Sequence, residues 1–174
     1  HDPETLVPTG LYLEPASTNL LTYSVNPIGQ WTTASQTTVT ANYGISPDGT
    51  QNAHRIQMGA GGGTTLNSPE ISFTSGTTYT ISVWLKKLGS ENIQLRPQIG
   101  TMANQDIILT DKWKRYTYTF TSNVTGNKKV GFDNGTNNVD ALFWGFQLEV
   151  GPFVTSYIPT EASTVTRPAD TYTS

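Results

Sequence analysis

Apolar and polar residues alternate along most of this chain with a period of two. In Thr77–Lys87, Tyr79, Ile81, Val83 and Leu85 occupy alternate positions, with Thr80, Ser82, Trp84 and Lys86 between them. A strand with one buried face produces this pattern, because successive side chains point to opposite sides of a pleated sheet. Glu91–Gly100 repeats it: Ile93, Leu95, Pro97 and Ile99 take one face, Gln94, Arg96 and Gln98 the other. Lys112–Ser122 alternates Tyr116, Tyr118 and Phe120 with Arg115, Thr117 and Thr119. Asp140–Val150 is a longer apolar run, the mark of a strand covered on much of both faces. Shorter candidates are Asn19–Ser24, Thr37–Asn42, Ala53–Met58, Glu70–Thr74, Gln105–Leu109 and Lys129–Asp133. Breaks such as Pro47–Gly49, Gly59–Gly63, Thr125–Asn127 and Asn134–Gly135 carry turn chemistry between them. No window of eleven residues carries a helical stripe. The expected fold is all-β, a jelly-roll β-sandwich of two antiparallel sheets with about ten strands in total.

Composition narrows the function classes. The chain has 174 residues, 13% charged, with a net charge of −3 and no cysteine. That charged fraction is about half the usual ~25%, so hydroxyls and amides supply most of the polarity. Ten Lys and Arg against thirteen Asp and Glu leave no basic stripe for nucleic acid. No apolar run approaches the ~20 residues of a membrane-spanning helix, so membrane insertion is not expected. Disulfides and thiolate-bound metals are excluded. A thiol-free β domain suits an extracellular setting. Because the chain starts at His1, it is expected to be a piece or processed segment of something longer. An extended arm is expected over 1–9, the sandwich over 10–158, and an extended Thr- and Pro-rich tail over 159–174.

The polar faces carry the candidate chemistry. If Thr77–Lys87 and Glu91–Gly100 pair as a hairpin, Ser82, Trp84 and Lys86 lie beside Gln94, Arg96 and Gln98 on one surface. A pyranose has apolar C–H faces and a hydroxyl rim, matched by an aromatic platform with amide and guanidinium groups around it. The alternative is a solvated face whose Trp84 packs under a loop or terminal arm. Arg55 and Gln57 extend such a surface if their strand joins it, and Asn104, Gln105 and Asp133 would rim it. Trp144 alternates with Phe146 and Leu148 and is expected in the core, while Trp113 closes a sandwich end. His54 reads as structural. An enzyme is not expected. There is no GxSxG elbow for a nucleophile, a single internal histidine cannot build a zinc site, and the carboxylates Glu70, Asp106, Asp133, Asp140 and Glu149 are scattered. The run Gly59–Gly63 lacks the GK[ST] ending of a phosphate loop.

Two stretches carry a resemblance. GLYLEPASTNLLTYS, residues Gly10–Ser24, and WGFQLEVGPFVTSYIPTEASTVTRPAD, residues Trp144–Asp170, together resemble a domain recurrent in bacteriophage head-spike, head-fibre and tail proteins. The middle, with NAHRIQM, GTTYTISVWLKK and DKWKRYTYTF, is similar to jelly-roll carbohydrate-binding modules of the family 4/22 type. The resemblance implies a non-catalytic virion or extracellular module that binds a polysaccharide or cell-surface glycan across a concave sheet face. No cofactor is required by it. It implies a structural calcium ion in many members, near the first and last strands, where Glu14, Glu149 and Asp140 are the local carboxylates. On this reading Trp84 stacks on a sugar, Gln94, Arg96 and Gln98 bind hydroxyls, and Lys86 lies beside them. Trp31 either lines the cleft or closes the sandwich edge. Two other classes stay open: a capsid or tail decoration domain contacting other virion proteins without glycan, and a polysaccharide lyase or glycoside hydrolase marked by close paired carboxylates.

Overall fold

The computed structural model describes residues 12–172, so the arm expected over 1–9 lies outside the described residues. Within them there is no helix, and hence none long and apolar enough to cross a membrane. Thirteen strands, numbered in chain order, form two antiparallel sheets and a small ribbon. One sheet has the order β10 (Lys114–Thr121), β7 (Thr78–Lys87), β12 (Val139–Val150), β4 (Ala53–Met58) and β3 (Thr37–Gly44). The other runs β2 (Thr32–Thr33), β5 (Thr65–Asn67), β11 (Gly126–Asp133), β8 (Asn92–Gln98) and β9 (Gln105–Ile108), with β6 (Ile71–Phe73) also paired to β11. The ribbon joins β1 (Ser17–Asn19) to β13 (Val165–Arg167). Part of the C-terminal stretch, expected as an extended tail, is therefore a paired strand.

The alternating residues behave as their period requires. Tyr79, Ile81, Val83 and Leu85 of β7 are buried in one apolar cluster with Ile93 and Leu95 of β8, Val130 and Phe132 of β11 and Phe143, Phe146 and Leu148 of β12. Both sheets thus close on a single core, which is the all-β jelly-roll sandwich that the pattern predicts. Phe132 stands at its centre, with ring centroids 5.4 Å from Phe143 and 5.0 Å from Phe146.

The expected hairpin does not form. β7 pairs with β10 and β12, whereas β8 pairs with β11 and β9 in the opposite sheet. The connection between them is an arch. Leu88 and Gly89 donate their N–H groups to the Asp140 carbonyl, at 3.1 and 3.0 Å, and the Ser90 hydroxyl accepts the Asp140 N–H at 2.8 Å. The chain is held at the start of β12 while it turns across to the second sheet. Both strands have one apolar face, and crossing over buries those faces against each other.

Candidate functional site

The separation of β7 from β8 divides the predicted site residues between two outer surfaces. Gln94, Arg96 and Gln98 face outward from the six-stranded sheet. Gln94 donates to Asp106 at 2.6 Å and accepts from Asn104 at 3.1 Å, and Arg96 meets Asp133 at 3.5 Å. This surface carries no aromatic side chain among β8, β9 and the outward positions of β11. Asn104 and Asp133 belong to it, as the rim reading required, but it is not the surface of Trp84.

Trp84 and Lys86 face outward from the five-stranded sheet. Register places Arg115 of β10 beside Trp84 on one side and Trp144 of β12 on the other. The next row along the strands is Lys86, Leu142, Arg55 and Thr40, followed by Asp140, Gln57 and Thr38. Arg55 grips Asp140 with two parallel bonds of 2.9 Å and lies 4.9 Å from the Tyr43 ring centroid. So Arg55 and Gln57 do extend the Trp84 surface.

Trp144 corrects the expectation of a core residue. Between Trp144 and Gln147 the register of β12 against β7 gains one residue, since Trp144 pairs with Trp84 but Gln147 pairs with Ser82. The extra residue is a β-bulge, which shifts the inward–outward parity of everything before it. Phe146 and Leu148 point inward as expected, and Trp144 points outward. Gly145 makes the bulge: its φ is +70°, in the left-handed region that favours glycine. A Cβ there would sit 3.2 Å from Trp84 Cδ1 and 3.5 Å from Tyr157 Cγ. The sequence signal was a glycine inside an apolar strand run.

Trp84, Trp144 and Tyr157 floor a groove of about 540 Å³, whose walls are Pro47 and Asp48 on one side and Ser156 and Pro159 on another, with Arg115 at its edge. That volume lies within the ~300–1,000 Å³ of small-ligand sites. Trp144 and Tyr157 meet edge to face at 4.8 Å. The Tyr157 hydroxyl bonds Ser24 at 2.8 Å, and burial pushes its phenol up to about 12. One wall is a pre-formed loop. Asp48 accepts from the Thr50 hydroxyl and its N–H, the Ser46 hydroxyl and the Asn52 amide, and these donors hold its carboxyl well below the usual carboxylate range. Trp113, expected to close a sandwich end, donates Nε1–H to the Ile45 carbonyl at 3.0 Å and so anchors that loop to the start of β10.

The opposite wall comes from the segment after β12, which crosses the outer face of the sheet. Glu149 binds it from beneath, accepting the Thr155 hydroxyl at 2.7 Å, the Thr155 N–H at 3.2 Å, Ser17 at 2.9 Å and Gln147 at 2.8 Å. Gln147 accepts the Ile158 N–H at 2.7 Å. Arg115 donates from Nη2 to Ser82 and to the Thr155 carbonyl, while its buried Nε has no partner. Burial works against the Arg115 charge, and Glu149 and Glu14 support it.

Trp31 is 5% exposed, lies 5.2 Å from Phe146 and donates Nε1–H to the Thr22 carbonyl. It closes the sandwich edge and presents no free ring face in this groove. His54 is a buried strut: its Nε2 bonds the Val25 carbonyl at 2.8 Å and its Nδ1 accepts the Asn42 N–H. Calcium does not fit the carboxylates named for it. Asp140 is spent on Arg55, Glu149 on four protein donors, and Glu14 on Ser156 and Arg167. Among the described residues no three Asp, Glu or His side chains gather as a metal cage.

Residues 21–133 match the family model described as a carbohydrate binding domain. No curated protein matches the chain. Among solved structures, the enzymatically active domain of tailspike protein 4 from bacteriophage CBA120 is similar, with 12% identity and a TM-score of 0.53. The match covers 76% of this chain and only 21% of that one. A CBM4 structure is similar at 18% identity and a TM-score of 0.52, covering 75% of this chain and 100% of that one. The CBM22-1 xylan-binding domain of Paenibacillus barcinonensis Xyn10C matches at 12% identity and a TM-score of 0.50, over 82% and 97% of the two chains. At such identities the likeness is one of fold.

Proposed function

The chain belongs to the carbohydrate binding domain family, and from that premise we propose that it is a non-catalytic module holding a polysaccharide against the outer face of its five-stranded sheet. The observation that carries the reading is the neighbouring pair Trp84 and Trp144, both half-buried in an open groove. Aromatic faces match the C–H faces of a pyranose, and Arg115, Lys86, Arg55 and Gln57 surround them with directed donors. The non-catalytic reading is supported by the carboxylates of this face, Asp140 and Asp48, which are bound to protein donors instead of facing each other across a cleft. The parent protein is proposed to be a phage-type virion protein. Support for that is the resemblance of Gly10–Ser24 and Trp144–Asp170 to virion domains, and the fold shared with the tailspike. Single-site affinity in such a wet groove is weak, and multivalent display on a virion raises avidity.

Gel retardation on a panel of soluble polysaccharides tests this. The native chain is expected to be retarded by at least one polymer, Trp84→Ala and Trp144→Ala to migrate freely, and no new reducing ends to appear. Retardation left intact in both variants would move the site elsewhere. A second reading, packing against other virion proteins, is favoured by Phe153 and Val150, 76% and 60% exposed. It predicts self-association or capsid binding that Phe153→Ser abolishes and Trp84→Ala does not.

A further inference from the structure

Two basic side chains beside Trp84 have no acidic partner among the described residues. Arg115 stands beside Trp84 on the neighbouring strand, and Lys86 lies two residues further along β7 on the same face. Among the described residues neither forms an ion pair, whereas Arg55 is matched by Asp140, Arg167 by Glu14, Arg96 by Asp133 and Lys87 by Glu91. Arg115 binds only neutral acceptors, the Ser82 hydroxyl and the Thr155 carbonyl. The acidic groups near it are already committed: Glu149 to Thr155, Ser17 and Gln147, Glu14 to Ser156 and Arg167. Asp48, which lines the groove, turns its oxygens into its own loop toward Ser46, Thr50 and Asn52. Two cations outside any ion pair among the described residues therefore flank Trp84 on a chain whose net charge is −3. A positive spot on a negative protein is a local feature and not a general attraction for polyanions.

We propose that this groove selects an acidic polysaccharide, in which a sugar ring stacks on Trp84 while its carboxylate is held by Arg115 and Lys86. This rests on the sugar-binding reading above and adds the class of sugar. Planar guanidinium and carboxylate form charge-assisted hydrogen bonds about twice as strong as neutral ones. A neutral sugar would offer these donors only hydroxyl acceptors, which form the weaker kind of hydrogen bond.

The probes are polygalacturonate, alginate and hyaluronate, each compared with its own carboxyl-reduced form, together with neutral xylan and dextran sulfate. Binding is followed by gel retardation and tryptophan fluorescence in 20–500 mM salt. The expected result is retention by at least one uronate polymer, about tenfold or more weaker after carboxyl reduction. Lys86→Met and Arg115→Lys are each expected to cut affinity for the acid form several-fold more than affinity for the reduced form. Equal retention of acid and reduced forms, or retention by xylan alone, would overturn the acidic class and leave the sugar-binding face standing. Retention by dextran sulfate and the uronates alike that survives in Trp84→Ala would mark unspecific charge attraction and overturn it too. Silence toward every polymer would overturn both readings.

Discussion

Replacing Gly145 by alanine tests how the groove is built. Gly145 sits at φ +70°, and an L-residue in the left-handed region costs about 1–2 kcal/mol. The added methyl also lands 3.2 Å from Trp84 Cδ1, close enough that the indole must shift by a few tenths of an ångström. In a domain of this size each kcal/mol lowers the melting temperature by about 2–4 °C, so a fall of roughly 2–8 °C is expected. Circular dichroism melting and urea titration measure it. Retention on the polysaccharide should weaken at the same time, because Trp84 and Tyr157 both touch the new methyl. Gly145→Asn separates the two causes: asparagine tolerates the left-handed region better than alanine but is larger, so it should melt higher than Gly145→Ala and bind no better. A Gly145→Ala protein with native melting and native binding would refute the bulge. Trp144 would then follow plain alternation into the core, and the aromatic floor would lose one of its rings.

Two further outcomes follow from burial. Trp31→Ala removes a 5%-exposed ring packed on Phe146 and should cost about 3–5 kcal/mol in urea unfolding, with retention per folded molecule unchanged; lost retention at native stability would place Trp31 in the site after all. His54 is held neutral because burial lowers its pKa beneath 6.5, so its contribution to stability is full above 6.5 and is lost as pH falls toward the folded-state value. Melting temperature should begin to decline between about pH 6.5 and 5, before the carboxylates titrate, and His54→Gln should flatten that part of the curve. A native curve that is flat over this window would count against the buried neutral histidine.

Sheet membership was the part of the fold that local pattern could not supply. The alternation in Thr78–Lys87 and Asn92–Gln98 correctly gave two strands with one buried face each. It could not say whether the turn between them was a hairpin or an arch, because both need a tight, glycine-containing connection, and the choice was made by bonds from Leu88 and Gly89 to a carbonyl distant in the chain, that of Asp140. The predicted site was therefore half assembled: Trp84 and Lys86 on one surface with Arg55 and Gln57, and Gln94, Arg96 and Gln98 on the other. Trp144 departs from the alternation for a different reason. Its parity matches that of Phe146 and Leu148 only in an unbroken strand, and a single inserted residue at the glycine between them reverses it. Here the sequence did hold the sign, in Gly145. The short strands Thr32–Thr33, Thr65–Asn67 and Val165–Arg167 left no period to read, being two or three residues long.

The low charge of the chain has a structural reason that alternation alone conceals. A strand with one apolar face is expected to turn its other face to water, yet Thr80, Ser82, Gln147 and Glu149, all on the outer side of the five-stranded sheet, are 1%, 0%, 0% and 1% exposed. The segment after β12 lies over them, and its Gly151 and Thr155 carbonyls accept from Thr80 and Arg115. Hydroxyls and amides suit such a layer because they satisfy backbone groups at a lower desolvation cost than charges do. The covering stops at Tyr157 and Pro159, and the Ile45–Asn52 loop begins on the other side. Trp84 and Trp144 lie in the gap that remains. The groove is thus the uncovered remainder of a sheet face otherwise sealed by polar packing, and its aromatic floor is fixed from below by the sheet and from both sides by segments that are themselves hydrogen-bonded in place.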